Sequence, residues 1–387
     1  MFSKVTDSIL YVGVDDRAID LFESQYKVPN GVSYNSYIIM DEMIAVMDTV
    51  DARASEAWMA NVEEALAGKA PDYLVVQHME PDHSANLKAL ADKYPAMQIV
   101  ANAKTFPMMK QFFGEDYADR RVVVKEGDTL CLGSHTLTFV MAPMVHWPEV
   151  MVSYESSEKV LFSADGFGKF GALDADEAWD DEARRYYINI VGKYGAQVQA
   201  LLKKAAALDI AVVAPLHGPV LKGDAIAHAV SLYDTWSSYR PEEHAVLVAV
   251  ASIHGNTRAA AKVLAEKLEA KGEKVIFCDL TRDDSAKAVA DAFRCDRMVL
   301  ACATYDGGLF TAGEEFLMHL KAKGFQSRKV GLMENGTWAP MAAKLMKAAF
   351  EPMKNITVLD TVVTMKSAMN DATLTQMDAL VDALMAE

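Results

Sequence analysis

The chain has 387 residues, of which 51% are hydrophobic and 24% charged, and its formal net charge is −16. This composition is that of a globular protein, and the length favours two domains. The negative charge argues against nucleic-acid binding, which needs a basic face. No stretch approaches the roughly 18 apolar residues of a membrane span, and the first residues show no export signal. We therefore expect a cytoplasmic protein with no membrane partner.

The four cysteines, Cys131, Cys278, Cys295 and Cys302, form no C-x-x-C pair. Their spacing therefore predicts no disulfide framework and no zinc knuckle or fused four-cysteine iron centre. Ordinary thiols in a reducing compartment explain them best.

The first part of the chain, residues 1–243, is rich in short apolar runs typical of strands. Helical patterns separate some of these runs, at His83–Tyr94 and at Asp176–Leu208, the second broken near Gly192 and Gly195. Mixed strands with helices between them predict a sandwich of two sheets with outer helices. The predicted strands are Ile9–Val14, Tyr34–Met40, Met43–Met47, Tyr73–Gln77, Gln98–Ala101, Arg121–Lys125, Thr136–Ala142, Met151–Tyr154, Val160–Ser163 and Ile210–Ala214.

A polar, proline-containing stretch at residues 239–244 indicates a linker, and we place a second domain at 244–387. Beyond it, strands and helices alternate regularly. The helix predicted at Arg258–Lys271 has apolar residues at helical spacing and is followed by Gly272. Such alternation predicts a doubly wound parallel sheet. Its strands are expected at Ala245–Ala251, Lys274–Cys278, Arg297–Cys302, Lys329–Met333 and Ile356–Leu359.

Four side chains of the kind that bind metals, His78, Glu80, Asp82 and His83, occur within six residues after the apolar run at 73–76. If the strand continues past this run, His78 and Glu80 point to the same side. Pro81 would then turn the chain, so that the other two side chains could reach a second ion. Few structural needs other than a dinuclear metal site place two imidazoles and two carboxylates at one strand end.

Three later residues, His146, Asp165 and His217, also follow strand-like runs. Taken singly, each is an ordinary loop residue, but together with the dense cluster they predict a dinuclear site. Imidazole and carboxylate donors without a thiolate suit iron, manganese or zinc. The anionic Glu80, in place of a neutral imidazole, lowers the cost of oxidising both ions and favours a redox metal.

The pattern H-x-E-x-D-H, followed by spaced His, Asp and His, resembles the diiron site of flavodiiron proteins. The resemblance implies a metallo-β-lactamase-like αββα sandwich in residues 1–243, whose hydrolytic relatives carry H-x-H-x-D-H, so that Glu80 is the distinguishing residue. It also implies a set of iron ligands in which His78, Glu80 and His146 hold one ion, Asp82, His83 and His217 hold the other, and Asp165 bridges them.

Loops of the second domain resemble the FMN site of flavodoxins, and a flavodoxin-like fold is implied for residues 244–387. Hydroxyls at the start of the helix after the first strand suit a phosphate, and Trp338 could cover the flavin ring. The third loop, with Glu334 and Asn335, departs from the pattern expected for the family. The predicted flavin-binding residues are Ser252, Ile253, His254, Gly255, Asn256, Thr257, Thr304, Tyr305, Asp306, Gly307, Gly308, Asn335, Gly336, Thr337 and Trp338.

The same resemblance implies reduction of dioxygen to water, of nitric oxide to nitrous oxide, or of both, at two oxo- or hydroxo-bridged irons. Electrons would arrive through FMN from a rubredoxin-type protein, and a head-to-tail homodimer, or a dimer of dimers, would bring one subunit's FMN to the other's irons. We predict that Tyr194 donates protons and that Phe167 and Phe170 wall the pocket.

Two alternatives remain open from the sequence. A zinc hydrolase with the same sandwich could use the second domain for regulation, although Glu80 and the flavin loops argue against it. A gas sensor or electron carrier could keep every ligand and not turn over.

Overall fold

A computed structural model describes residues 2–386 of the chain. The chain divides into two compact units: unit 1 comprises Met1–Tyr187 and Ala196–Asp234, and unit 2 comprises Ile188–Gly195 and Thr235–Glu387. The boundary that we place between residues 243 and 244 stays a prediction. Within residues 2–386, no helix has both the length and the apolar character needed to cross a membrane.

Unit 1 contains a seven-stranded and a six-stranded sheet, as the density of apolar runs predicts. Several strands are shorter than the predicted runs, and Val14 and Tyr34 belong to a separate pair of strands. The first sheet has, in spatial order, Ser3–Lys4, Ile9–Tyr11, Tyr37–Ile39, Ala45–Met47, Tyr73–Val75, Gln98–Asn102 and Arg121–Val124. The second has Thr129–Cys131, Thr136–Met141, Met151–Glu155, Val160–Phe162, Val212–Ala214 and Leu221–Lys222. Two small hairpin-like pairs, Val14–Asp16 with Val32–Tyr34 and Leu21–Phe22 with Tyr26–Lys27, complete the unit.

The core of unit 1 lies between the two sheets. Val75 and Val100 of the first sheet belong to one buried cluster with Phe139 and Phe162 of the second. Residues two apart on a strand share a face, so each sheet can contribute one apolar face to this core. The sandwich predicted from the apolar runs is confirmed.

The helices of the first part of the chain differ from the predicted ones in detail. The predicted helix at His83–Tyr94 is wrong as a single element: the chain forms Pro81–Ser84 and then Leu87–Lys93. The predicted break near Gly192 and Gly195 is confirmed, since a 3-10 turn at Gly192–Tyr194 separates two α-helices. The helices are Ser55–Leu66, Pro81–Ser84, Leu87–Lys93, Thr105–Phe113, Trp179–Tyr186, Gly195–Ala205 and Asp224–Ser237, with a π-helical segment at Tyr187–Val191.

Unit 2 contains the doubly wound parallel sheet. Numbered in chain order, its five parallel strands lie in the spatial order 2-1-3-4-5, which places a ligand crevice at the carboxyl ends of the central strands. In chain order these strands are Glu243–Ala251, Val275–Asp279, Cys295–Tyr305, Lys329–Asn335 and Thr357–Met365, and the short strand Gly308–Leu309 pairs with the third. The helices are Asn256–Ala270, Ser285–Arg294, Thr311–Ala322, Ala342–Phe350 and Asp371–Met385.

Candidate metal centre and flavin cleft

The seven predicted metal-binding side chains come together in unit 1: five lie in loops after strands, and Asp82 and His83 lie in a short helix. The strand predicted at Tyr73–Gln77 ends at Val75, so the condition under which His78 and Glu80 would share a strand face is not met, and both residues lie in an irregular loop. The conformation of this loop brings the two side chains together, not the alternation of side chains along a strand. Pro81 begins the short helix Pro81–Ser84, as the turn predicted there requires.

The first donor cluster contains His78, Glu80, His146 and Asp165. The Nε2 atom of His146 lies 3.0 Å from Glu80 Oε2 and 3.2 Å from Asp165 Oδ2. The Nε2 atom of His78 lies 3.4 Å from His146 Nε2 and 3.4 Å from each of the two carboxylate oxygens. Four donor atoms therefore surround one point.

The second donor cluster contains Asp82, His83 and His217. Asp82 Oδ2 lies 3.4 Å from His83 Nε2 and 3.1 Å from His217 Nε2. Asp165 reaches this cluster through its other oxygen, because Oδ1 lies 3.0 Å from His83 Nε2 and 3.9 Å from His217 Nε2. One carboxylate thus faces both clusters, with one oxygen directed to each.

The spacing of these donors fits a pair of metal ions. Donors about 2.1 Å from a common ion lie roughly 3.0–3.4 Å apart in octahedral or tetrahedral geometry. Every donor distance given above lies in this range except the 3.9 Å between Asp165 Oδ1 and His217 Nε2. Both carboxylate oxygens of Asp82 and of Asp165, and Nε2 of His83 and His217, are buried without a hydrogen-bond partner. Buried polar atoms of this kind are costly unless a ligand satisfies them, and cations at the two cluster centres would do so.

The charges of the clusters act strongly on one another. Burial favours the neutral form of His78, but the charge of Asp165 and the hydrogen bond to Glu149 outweigh it and raise the pKa of His78 well above its ordinary value. Burial, with the charges of Glu80 and Asp165, raises the pKa of Asp82 to about 7. Cations in the clusters would replace the protons that these interactions otherwise retain.

Glu149 supports the first cluster and was missed by our sequence analysis. Its fully buried carboxylate accepts hydrogen bonds from His78 Nδ1 at 2.8 Å and from the Met79 backbone N–H at 2.9 Å. This contact leaves His78 Nε2 to face the donor cluster. His217 is oriented in the same manner, because its Nδ1 donates to the Ser33 carbonyl at 2.7 Å. The only sequence signal for Glu149 is its position three residues after His146.

We expect Glu149→Gln to weaken metal binding in the first cluster by about 10- to 100-fold, because the amide no longer fixes the ring and charge state of His78. The second cluster, which Glu149 does not contact, should keep its affinity. Anaerobic titration of metal-free protein with ferrous ion would measure the two affinities. Equal weakening in both clusters, or in neither, would contradict this role.

Aromatic rings surround His217 and form the apolar wall of the metal centre. The ring centroids of Phe22, Tyr186 and Tyr34 lie 5.4, 5.5 and 6.1 Å from that of His217. Phe170 packs on Tyr186 at 5.1 Å and thus belongs to this wall, whereas Phe167 packs on Tyr233 at 4.5 Å.

Tyr194 does not belong to unit 1. It is half-buried in the turn Gly192–Tyr194, which is part of unit 2, and its ring lies 5.8 Å from Lys193 Nζ. Its function as a proton donor stays a prediction.

A polar cleft of about 260 Å³ opens beside the metal clusters. Glu80, Pro81 and Asp82 form one side, and Phe22 and Glu23 of the Leu21–Lys27 hairpin form another. Such a cleft admits water and protons to the carboxylates of both clusters.

A second cleft, of about 410 Å³, lies in unit 2 at the carboxyl ends of the first, third and fourth strands. The volume is in the range of cofactor sites. Its lining includes all the predicted flavin-binding residues except Gly255 and Gly308, and it adds Ala303, Ala339, Met341 and Ser367, which the sequence analysis missed.

The first loop of this cleft has the geometry of a phosphate site. Gly255 has φ +92°, which L-residues rarely adopt, and the helix Asn256–Ala270 begins directly after it. The first N–H groups of a helix have no intrahelical partner, and the helix dipole favours an anion there. Tyr305 and Trp338, 48% and 88% exposed, offer two aromatic faces beside this loop. A flat aromatic ligand that carries a phosphate fits this combination.

The third loop has structural bonds that the sequence did not predict. The Asn335 amide donates to the Ser367 carbonyl and accepts from the Ser367 N–H, each at 2.9 Å. Glu334 accepts from the Ala343 N–H at 2.9 Å, near the start of the helix Ala342–Phe350. The residues that depart from the family pattern thus hold this loop in place.

These observations define a class of protein with two parts: a sandwich unit that carries paired carboxylate–imidazole clusters, and a doubly wound unit with an aromatic-rimmed anion cleft. A family profile described as "ODP family beta lactamase" matches residues 32–218. The chain is 30% identical to the nitric oxide reductase of Moorella thermoacetica, over 74% of this chain and 75% of that protein. It is 29% identical to the rubredoxin-oxygen oxidoreductase of Megalodesulfovibrio gigas, over 89% and 88%.

Solved structures agree with the sequence relatives. The rubredoxin oxygen:oxidoreductase of Desulfovibrio gigas superposes with a TM-score of 0.91 at 27% identity, over 99% of this chain and 98% of that one. The flavodiiron protein of Giardia intestinalis gives the same TM-score at 25% identity, over 99% and 95%. The chain belongs to the flavodiiron protein family, and the resemblance predicted from H-x-E-x-D-H is confirmed.

Proposed function

We propose that this protein is an oxidoreductase that reduces dioxygen to water, nitric oxide to nitrous oxide, or both. Its two irons and its FMN supply the electrons for these reactions when bound: four for each dioxygen, and two for each pair of nitric oxide molecules. The relatives named rubredoxin-oxygen oxidoreductase and nitric oxide reductase support both reactions. Rubredoxin in the first of these names also supports a rubredoxin-type electron donor.

A single observation carries the proposal: Asp165 turns one oxygen to each of two donor clusters. We propose that His78, Glu80 and His146 bind one iron, that Asp82, His83 and His217 bind the other, and that Asp165 bridges them. The three carboxylates together carry a charge of −3, and the four imidazoles are neutral ligands. This negative charge stabilises the two iron cations in both of their oxidation states.

The chain's own residues have three tasks in this chemistry. Asp165 keeps the two clusters at a fixed separation, so that a diatomic molecule can lie between them. Glu149 fixes the ring of His78, and the aromatic wall around His217 limits water on that side. The polar cleft beside Glu80 and Asp82 supplies protons through water.

For unit 2, we propose that FMN places its phosphate at the start of the helix Asn256–Ala270 and its ring between the loops that carry Tyr305 and Trp338. The name of the Giardia intestinalis flavodiiron protein supports this assignment. The helix N-terminus at Asn256, which favours an anion, and the two exposed aromatic side chains provide independent support.

We expect Trp338→Ala to weaken FMN binding by about two- to tenfold, since an aromatic stacking contact contributes about 0.5–1.5 kcal/mol. Iron content should stay unchanged, because unit 1 holds all seven metal donors. Flavin fluorescence during titration of the FMN-free protein would measure the affinity. Exposed Leu374, in the helix Asp371–Met385 of the same unit, offers the control Leu374→Ala, and equal weakening by both changes would contradict a stacking role.

The function itself is tested by anaerobic steady-state assays with a chemically reduced rubredoxin as donor. We expect repeated turnover of dioxygen, nitric oxide or both, about two irons per chain and a flavin absorption spectrum. Zinc at full occupancy with thiol-ester hydrolysis would favour the hydrolase. Binding of gas without repeated turnover would favour the sensor.

His146→Asn should lower iron content and keep FMN, because His146 is a donor of the first cluster in unit 1. Equal loss of FMN would contradict two independent units, and with them the proposed boundary between residues 243 and 244.

We further propose a cytoplasmic homodimer arranged head to tail, in which a two-fold axis forms both flavin-to-metal junctions at once. Four unpaired cysteines support a reducing compartment. Sedimentation equilibrium would test the dimer, and a monomer at assay concentration would contradict it.

A further inference from the structure

Besides its polar cleft, unit 1 has an apolar cavity beside the metal-binding loops. It has a volume of about 30 Å³ and is lined by strands of the second sheet and by the helix Gly195–Ala205. A single water needs roughly 10–15 Å³ of such space, so the cavity can take a molecule of two heavy atoms.

The lining gives water almost nothing to bind. Its two side-chain polar groups already have partners: the Ser163 hydroxyl donates to the Gly166 carbonyl at 2.6 Å, and the Tyr233 hydroxyl accepts from the Phe167 N–H at 2.7 Å. The other side chains around it are apolar, among them Val152, Leu161 and Val198. Apolar cavities of this kind stay dry and bind apolar guests such as xenon.

Two metal-binding loops form part of the cavity wall. Val145 directly precedes His146, and Gly166 directly follows Asp165, and both line the cavity. A guest in the cavity therefore contacts the chain neighbours of two donors of the first cluster.

The cavity also extends toward the surface. Val145, Phe167 and Val198 are buried, whereas Leu201 and Ala205 are half-buried. It thus differs from the polar cleft beside Glu80, where carboxylates favour water over an uncharged gas.

We propose that this cavity is a docking site for the small uncharged gas that the protein consumes, and that it delivers the gas to the donor clusters past the loops of His146 and Asp165. The inference rests on the proposed function. Dioxygen and nitric oxide share the required chemistry, since both are diatomic, uncharged and poor hydrogen-bonding partners.

The cavity is tested with xenon and with two filling variants of the iron- and FMN-loaded protein. Crystals under xenon pressure should show xenon in contact with Val198, and Val198→Phe and Ala205→Leu should remove it. With dioxygen and with nitric oxide assayed separately, both variants should raise KM at least threefold for each gas that is consumed, and more than they lower kcat. The control Ala200→Leu, on the exposed side of the same helix, should change neither xenon uptake nor the KM for either gas.

Three results decide the matter. Absence of xenon from the wild-type cavity, or an unchanged KM in variants that no longer take up xenon, overturns the proposal. Should Val198→Phe not fold, as loss of its iron would show, Ala205→Leu at the half-buried rim gives the answer alone. A wild-type protein that takes up xenon but consumes neither gas refutes the proposed function, and with it the delivery of substrate, while the apolar binding site itself stands.

Discussion

Asp165→Asn should remove nearly all iron and lower gas reduction by more than about a hundredfold. Loss of an outer partner of a metal ligand costs about 10- to 100-fold, and Asp165 itself contacts donors of both clusters. The amide is neutral and presents one oxygen, so it cannot offer an anionic oxygen to each of two cations. Iron analysis and gas consumption would measure the effect.

The flavin serves as an internal reference for Asp165→Asn, because unit 2 should keep FMN when unit 1 loses its metals. Asp92→Asn is the matched control: the exposed Asp92 carboxylate pairs with Lys88 at 2.9 Å. This control should keep about two irons per chain. If Asp165→Asn also keeps two irons, Asp165 does not bridge them.

Arg328→Met should lower the free energy of unfolding of unit 2 by more than about 3 kcal/mol. The guanidinium is buried and donates to backbone carbonyls of Cys295 at 2.6 Å, of Tyr239 at 2.8 Å and of Ser327 at 3.0 Å, and also to those of Phe293 and Gln326. Methionine fills similar space but donates nothing, so buried carbonyls lose their partners. Burial lowers the pKa of Arg328 to about 10, which leaves it charged at neutral pH.

Flavin fluorescence would follow the unfolding of unit 2 in denaturant, since FMN fluoresces more strongly once released. The control is Arg282→Met, at an exposed position of the same unit, with an expected change within about 0.5 kcal/mol. A midpoint for Arg328→Met that matches the control would show that the five carbonyl contacts contribute little to stability.

Much of the fold can be predicted from sequence because its signals are local. Apolar runs predict the strands of both units, and the alternation after residue 243 predicts the parallel sheet. The ends of elements are less certain: Gln77 falls outside its strand, because Gln77 N–H bonds to Asp48 Oδ1 at 2.7 Å instead of extending the ladder. Such a contact between distant residues leaves no local signal.

The residues of the metal centre show the same division. The density of His78, Glu80, Asp82 and His83 in six positions reveals the centre from sequence alone, because so many donors rarely serve another purpose. Glu149 carries no such signal, since a lone glutamate in a loop is usually solvated. Only its burial against His78 identifies its role.

The sequence by itself determined which chemistry is possible, because donor types, their order and the glutamate in place of histidine at position 80 are properties of the chain. Tertiary structure alone decided that the two oxygens of Asp165 face different clusters, and that an apolar cavity adjoins their loops. Both depend on where separate strands end in space, and distances between residues far apart in the chain are set by the packing of the two sheets.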